Sequence, residues 1–188
     1  MIATMSDAPL TGTVALLSDA PLEELIGVVE VLAQEGVANL SLPVDSASLE
    51  ELVALYGQRI RIGVHGAAKA PATLATQGAD FILPDFVTPD IATIAEALAL
   101  ACYATAMTPT EVATALTMPV TGVQLRPAEV VGPIMAEHLQ HMGLIDKTIP
   151  RGGLIPFTAK QWLSAGAPAV CVGRHLIGDA LKGGDLAA

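Results

Sequence analysis

The stretch TGVQLRPAEVVGP, residues 121–133, decides the fold. It reads as the end of a buried strand, a polar break and the start of a helix. Gln124 and Arg126 sit where such a strand opens into solvent, and "RPAE" follows at once. A strand that passes straight into a helix, with no hairpin signal, belongs to a parallel sheet with crossover helices.

The same unit recurs along the chain. Short apolar runs bounded by Gly, Pro or Asp read as strands buried on both faces at 13–17, 38–42, 60–64, 81–83, 102–106, 120–125, 148–150 and 169–172. Amphipathic segments lie between them. Residues 21–34 place Leu22, Leu25, Ile26, Val29 and Leu32 at helical spacing, with Asp19 as an expected cap and Gly36 past the end. "SASLEE" opens 46–55 as a capping-box-like start. "TPD" at Thr88 and "TPTE" at Thr108 each put a threonine cap before a first-turn proline. Residues 70–76, 129–141 and 158–165 complete the helical series. Eight such units suggest a closed α/β barrel, (β/α)8, spanning 1–188 as one domain with a short C-terminal end. The 188 residues require lean loops, since about 250 is typical. An open doubly wound sheet is the rival, but "ALLSDAPLEE" after the first strand lacks the Gly-rich fingerprint it would carry.

Composition narrows the partners. The chain is 52% hydrophobic and only 15% charged, which argues against disorder. Aromatics make up 3%, so the core must be built from Ala, Val, Leu and Ile. A net charge of -10, with basic residues scattered, repels a phosphate backbone, and no nucleic-acid partner is expected. No uncharged stretch reaches the roughly 20 residues of a spanning helix, and "MIATMSDAPLTGT" does not read as a secretory signal. The expectation is a cytoplasmic chain with no membrane partner. Cys102 and Cys171 sit in apolar runs without metal-ligand spacing and read as buried free thiols.

Several segments then resemble, in order and spacing, the 2-keto-3-deoxy-6-phosphogluconate / 4-hydroxy-2-oxoglutarate (KDPG/KHG) aldolases. "VLAQEGVANLSL" is similar to the family's first helix and second strand, and "TQGADFILPD" to its fourth strand. "VQLRPAE" resembles "FKFFPAE", "PRGGLIP" resembles "PTGGI-P", and "AVCVGRHLI" resembles the last strand and glycine turn. The resemblance implies a (β/α)8 barrel, commonly a homotrimer, acting as a carbon–carbon lyase without a cofactor.

The positions that carry the chemistry differ. The Schiff-base lysine of the family aligns with Gln124, and its acid/base glutamate with Ser41. The arginine that follows aligns with Asp45, the threonine before the paired glycines with Arg151, and the serine of the last phosphate turn with His175. Gly152, Gly153, Gly173, Pro127 and Glu129 survive. An imine needs an amine, and an amide nitrogen has its lone pair delocalised. A serine hydroxyl holds its proton too tightly to replace a carboxylate at neutral pH. Lys69, just past the third strand, is the one lysine on the mouth side; Lys147 lies at the opposite end, and Lys160 and Lys182 are helical.

Ligands of parallel barrels bind at the carboxyl ends of the strands. Asp19, Asp45, His65, Asp85, Thr108, Gln124, Arg126, Arg151, Arg174 and His175 fall there. Arginine suits forked recognition of phosphate or carboxylate, and glycine turns offer backbone N–H groups. The expected site is therefore an anion pocket of Asp45, Arg126, Arg151, Gly152, Gly153, Gly173, Arg174 and His175, with Arg151 and Arg174 exposed side by side. His65 and Lys69 are the candidate catalytic groups beside the replaced positions Ser41 and Gln124. A metal on Asp45, His65 and Asp85 is the weaker alternative, since spacing is its sole support. His138 and His141 share a helix face and read as solvated, and Trp162 reads as helix–barrel packing. Three functions stay open: an aldolase-like enzyme for a small anionic 2-oxo acid or phosphorylated sugar acid, a non-catalytic anion-binding or regulatory barrel, and a structural trimer.

Overall fold

A computed structural model describes residues 8–66, 70–178 and 181. Eight parallel strands form its centre: β1 Gly12–Leu16, β2 Asn39–Pro43, β3 Arg61–Gly66, β4 Phe81–Pro84, β5 Ala101–Ala106, β6 Gly122–Leu125, β7 Thr148–Pro150 and β8 Ala169–Val172. They pair in the order β7-β6-β5-β4-β3-β2-β1-β8. A parallel bridge from Arg151 to Cys171 joins the two ends and closes the ring. This is the (β/α)8 barrel read from the alternation.

Helices follow the strands: α1 Leu22–Gln34, α2 Leu49–Tyr56, α3 Pro71–Thr76, α4 Pro89–Ala97, α5 Pro109–Ala115, α6 Ala128–Val131, α7 Ile134–His141, α8 Pro156–Ser164 and α9 Arg174–Ile177. The two threonine caps form as read. Thr88 Oγ1 accepts from Ile91 N, and Thr108 and Glu111 make a reciprocal capping box at 3.3 and 2.9 Å. Two other caps do not. Pro21, not Asp19, precedes α1 and makes no side-chain cap, and α2 starts at Leu49 behind Ser48, without a capping bond. The single helix expected over 129–141 is two. Gly132 turns the chain at φ 67°, and Pro133 has no N–H to continue the ladder, so α6 stops and α7 starts anew.

Strand parity sorts the core. Val14, Phe81, Leu83, Ala101, Tyr103, Ile149, Ala169 and Cys171 point inward and fill the barrel with Leu10. The alternate positions, such as Ala15, Leu40, Ile62, Val123 and Val170, pack outward under the helices. Trp162 lies fully buried in that outer layer, as packing requires. With few aromatics available, the interior uses two of them well. A Cβ at Gly63 would lie 2.4 Å from the Phe81 ring, so glycine there is what admits the phenylalanine. Tyr103 Oη accepts from Leu10 N at 2.7 Å and ties the segment before β1 across the barrel floor.

Candidate functional site

The inward parity that places the core also places the site. Above the apolar layer, the same strands present Ser41 on β2, His65 on β3, Thr105 on β5 and Gln124 on β6, with Asp85, Arg126 and Arg151 just past β4, β6 and β7. Gln124 is 0% exposed, and its amide is used at both ends. Nε2 donates toward Pro84 O at 2.5 Å and Thr105 Oγ1 at 2.9 Å, with Tyr103 O at 3.2 Å. Thr105 Oγ1 in turn donates to Pro84 O at 2.7 Å. Gln124 Oε1 accepts from Arg151 Nη1 at 2.8 Å, and the same Nη1 donates to Leu83 O at 3.0 Å.

Arg151 was expected to stand exposed at the rim. It is 6% exposed and turns into the barrel. The reason is parity: Ile149 faces the interior, so the residue two further on does too. Both of its hydrogen bonds to described residues go to neutral oxygens, and among the described residues no carboxylate pairs with it. Burial first, and then the Arg126 cation nearby, pull its guanidinium below its ordinary pKa, although arginine stays charged in proteins. The barrel centre thus holds a buried cation that Asp85, itself paired with Arg126, offsets only in part and without a direct ion pair.

That cation lines a cavity of about 300 Å³ together with Leu16, Arg126, Gly152, Gly153, Leu154, Cys171, Gly173, Arg174 and His175. Seven of the eight residues expected to bind the anion therefore converge on one space. Asp45 does not: it lies exposed on the turn after β2 and is absent from this lining. Arg126 Nη1 pairs with Asp85 Oδ1 across the mouth, both about two-fifths exposed. Gly152 and Gly153 hold φ of 104° and 60°, and added Cβ atoms would fall 2.8 and 2.6 Å from the Glu129 side chain. The "RPAE" and "RGG" turns also dock through Ala128 N donating to Arg151 O at 2.9 Å. The opening stretch therefore buttresses the cavity.

His65 Nδ1 lies 3.0 Å from the Ser41 hydroxyl, which is itself 0% exposed. Burial above all, then the Arg151 cation, lowers the His65 pKa to about 4, and Asp85 opposes the fall. Among the described residues, no three His, Cys, Asp or Glu side chains stand close enough to hold a metal, so Asp45, His65 and Asp85 form no such cluster. Lys69 lies outside the described residues. Cys102 and Cys171 are free and buried, and burial pushes both thiols up to about 12. No described helix is long and apolar enough to cross a membrane. The sequence reading missed Thr105 and the carbonyls of Leu83 and Pro84. Applying inward parity to β5 would have found the threonine.

Three comparisons bear on this arrangement. The family model for KDPG and KHG aldolase matches residues 3–188. No curated protein matches. The chain is similar to the solved structure titled native KDPGal, at 22% identity and TM-score 0.82, over 95% of this chain and 89% of that one. It is similar to KDPG aldolase from Legionella pneumophila, captured with pyruvate as a covalent carbinolamine, at 17% identity and TM-score 0.77, over 92% and 87%. It also resembles a designed cube-shaped cage made by fusing symmetric oligomeric domains, at 22% identity and TM-score 0.78. There it covers 89% of this chain and 65% of that one.

Proposed function

Given that the chain belongs to the KDPG and KHG aldolase family, we propose that it binds a small anionic 2-oxo acid or phosphorylated sugar acid above β7 and β8, and that it does so without an imine. The observation that carries this reading is Arg151. A desolvated charge without a directly paired counter-ion costs several kcal/mol, roughly, and a bound anion offsets that cost. The guanidinium has Nε and Nη2 left over from its two protein bonds, and the glycine turns add backbone N–H groups at the same cavity. The resemblance sets Gln124 where the family has its lysine, and an amide lacks the amine that a carbinolamine needs.

Calorimetric titration of inorganic phosphate, pyruvate and phosphorylated sugar acids tests the reading. Arg174→Ala, at an exposed position, should weaken the tightest of these about tenfold, and Arg151→Met about a hundredfold, from charge-assisted bonds of roughly 1.5–3 kcal/mol each. Absence of binding to the native protein, or equal binding by both variants, would refute it.

A second reading, a non-catalytic anion-binding or regulatory barrel, is favoured by the amide of Gln124, locked at both ends. Self-association as a homotrimer is part of the same proposal. Phe157 at 67%, Val130 at 65% and Phe86 at 58% exposure leave apolar surface that subunit contacts would cover. Light scattering showing a lone 19.2 kDa species at micromolar concentration would contradict it.

A further inference from the structure

Gln124 and Arg151 come from separate strands and meet as one unit. Gln124 sits in register with Thr105 on β5 and Ile149 on β7, and Arg151 lies two residues beyond Ile149 on the same face. Both side chains reach past β5 to the end of β4: Gln124 Nε2 to Pro84 O at 2.5 Å, and Arg151 Nη1 to Leu83 O at 3.0 Å. Three oxygens surround Gln124 Nε2, namely Pro84 O, Tyr103 O and Thr105 Oγ1. Thr105 gives its one proton to Pro84 O, so toward Nε2 its oxygen accepts. The NH2 end of the amide must therefore face this set. That fixes Oε1 toward Arg151 Nη1, at 2.8 Å.

A glutamine meets both demands where its neighbours in chemistry do not. A carboxylate would turn an acceptor onto the Pro84 and Tyr103 carbonyls and cancel the guanidinium charge. An ammonium would satisfy the carbonyls and repel the guanidinium. Methionine would serve neither end. The amide is neutral, donates at one end and accepts at the other. Arg126, on the same cavity, shows the contrast: its Nη1 is held by the Asp85 carboxylate, and that pair is net neutral. Of these two arginines, one is fixed by an anion and one by an amide.

We propose that Gln124 is the positioning residue of the anion site: its neutral Oε1 takes up Nη1, stops the guanidinium from turning, and leaves Nε, Nη2 and the charge of Arg151 for a ligand. The proposal rests on the anion-binding reading above and deepens it. An arginine held in place before the ligand arrives does not have to be ordered at binding, which lowers the cost of association. An arginine held by a neutral group keeps its attraction for the ligand.

Two substitutions separate orientation from charge. Gln124→Glu keeps an anchor and cancels the charge; Gln124→Met keeps the charge and removes the anchor. The readouts are calorimetric titration of inorganic phosphate at neutral pH and NMR of nitrogen-labelled arginine side chains, with the Arg151 signals assigned by their loss in Arg151→Met. In native protein the two Nη groups of Arg151 should interchange slowly and give separate signals. In Gln124→Met that interchange should quicken about tenfold or more, and phosphate affinity should fall about two- to tenfold. In Gln124→Glu the interchange should be as slow as in native protein, or slower, while affinity falls about a hundredfold. A side chain that only fills space would give no such split. Gln124→Met adds no charge and decides the anchor by itself if the carboxylate variant does not fold. Interchange in Gln124→Met equal to native would overturn the proposal, as would Gln124→Glu binding phosphate within about threefold of native. The NMR readout needs no ligand, so the two failures separate. Loss of the anchor in a protein that binds phosphate refutes the positioning role and leaves the anion reading. Native protein with its Nη groups held that binds no phosphate removes the anion reading, and the role of Gln124 in binding with it.

Discussion

Two buried arginines stand at opposite ends of the barrel, and they differ in what lies beyond them. Arg61, at the start of β3, is 7% exposed and donates from Nη1 to Ala8 O at 2.9 Å and Pro9 O at 3.4 Å, with Phe81 beneath its guanidinium at 5.9 Å. Asp80 lies near enough to feel its charge. The segment before β1 closes that end. Arg151, at the end of β7, is 6% exposed and also donates to neutral oxygens, but it opens onto a cavity lined by glycine turns and further cations. The same side chain at the same burial is covered at the floor and, in the function proposed above, receives an anion at the mouth. Burial alone does not separate a structural charge from a binding one; what caps the charge does.

The largest expected effect at the mouth comes from pH, acting through His65. His65 has a folded pKa of about 4 against an ordinary value of 6.5. A lowered histidine pKa means that the unfolded chain takes up a proton first as pH falls. Its contribution to stability is therefore complete above about 6.5, declines as pH drops toward 4, and is flat below. The loss amounts to roughly 3 kcal/mol. Denaturant titrations between pH 7 and 4 should show this decline in native protein and a smaller one in His65→Gln. Saturating phosphate should narrow it if the anion sits on Arg151. An identical decline in native and His65→Gln protein would place the effect elsewhere.

Of similar size is Gln124→Lys, which puts an amine where the resemblance sets the family's lysine. The ammonium would stand beside the Arg151 guanidinium, and Leu83, Pro84 and Thr105 offer no carboxylate to balance the pair. We expect a loss of about 2–4 kcal/mol of stability and no borohydride adduct with pyruvate. A stable variant that traps pyruvate would mean that the arginine is not the obstacle. Arg61→Met should cost about 1–3 kcal/mol by stranding the carbonyls of the floor segment, and should leave anion affinity unchanged. A drop in affinity there would erase the distinction between floor and mouth.

Much of this was readable from the chain. The strands lie within a residue or two of where apolar runs bounded by Gly, Pro and Asp put them, since a strand buried on both faces has few other ways to be written. Thr88 and Thr108 were legible because cap, proline and acidic partner occur together. Asp19 and Ser46 were not caps, because a capping residue type without local turn geometry says little. Residues 129–141 broke at Gly132-Pro133, where backbone chemistry overrides apolar spacing. The cavity lining was legible from the glycine turns. The direction of Arg151 was written in the alternation with Ile149 but is masked by a prior that places arginine outside. The pairing of Gln124 with Arg151 spans 27 residues and follows from closure of the ring, which no local pattern states.

The proposed function stands or falls with Arg151 as the receptor for an anion. A crystal structure of the protein grown with inorganic phosphate and pyruvate tests it most directly. An anion should lie within hydrogen-bonding distance of Arg151 Nε or Nη2 and of a glycine-turn N–H, with the Gln124 and Leu83 bonds of Nη1 intact. An empty cavity at saturating ligand, or an anion held only at the outer surface while Arg151 makes the same two bonds, would contradict it.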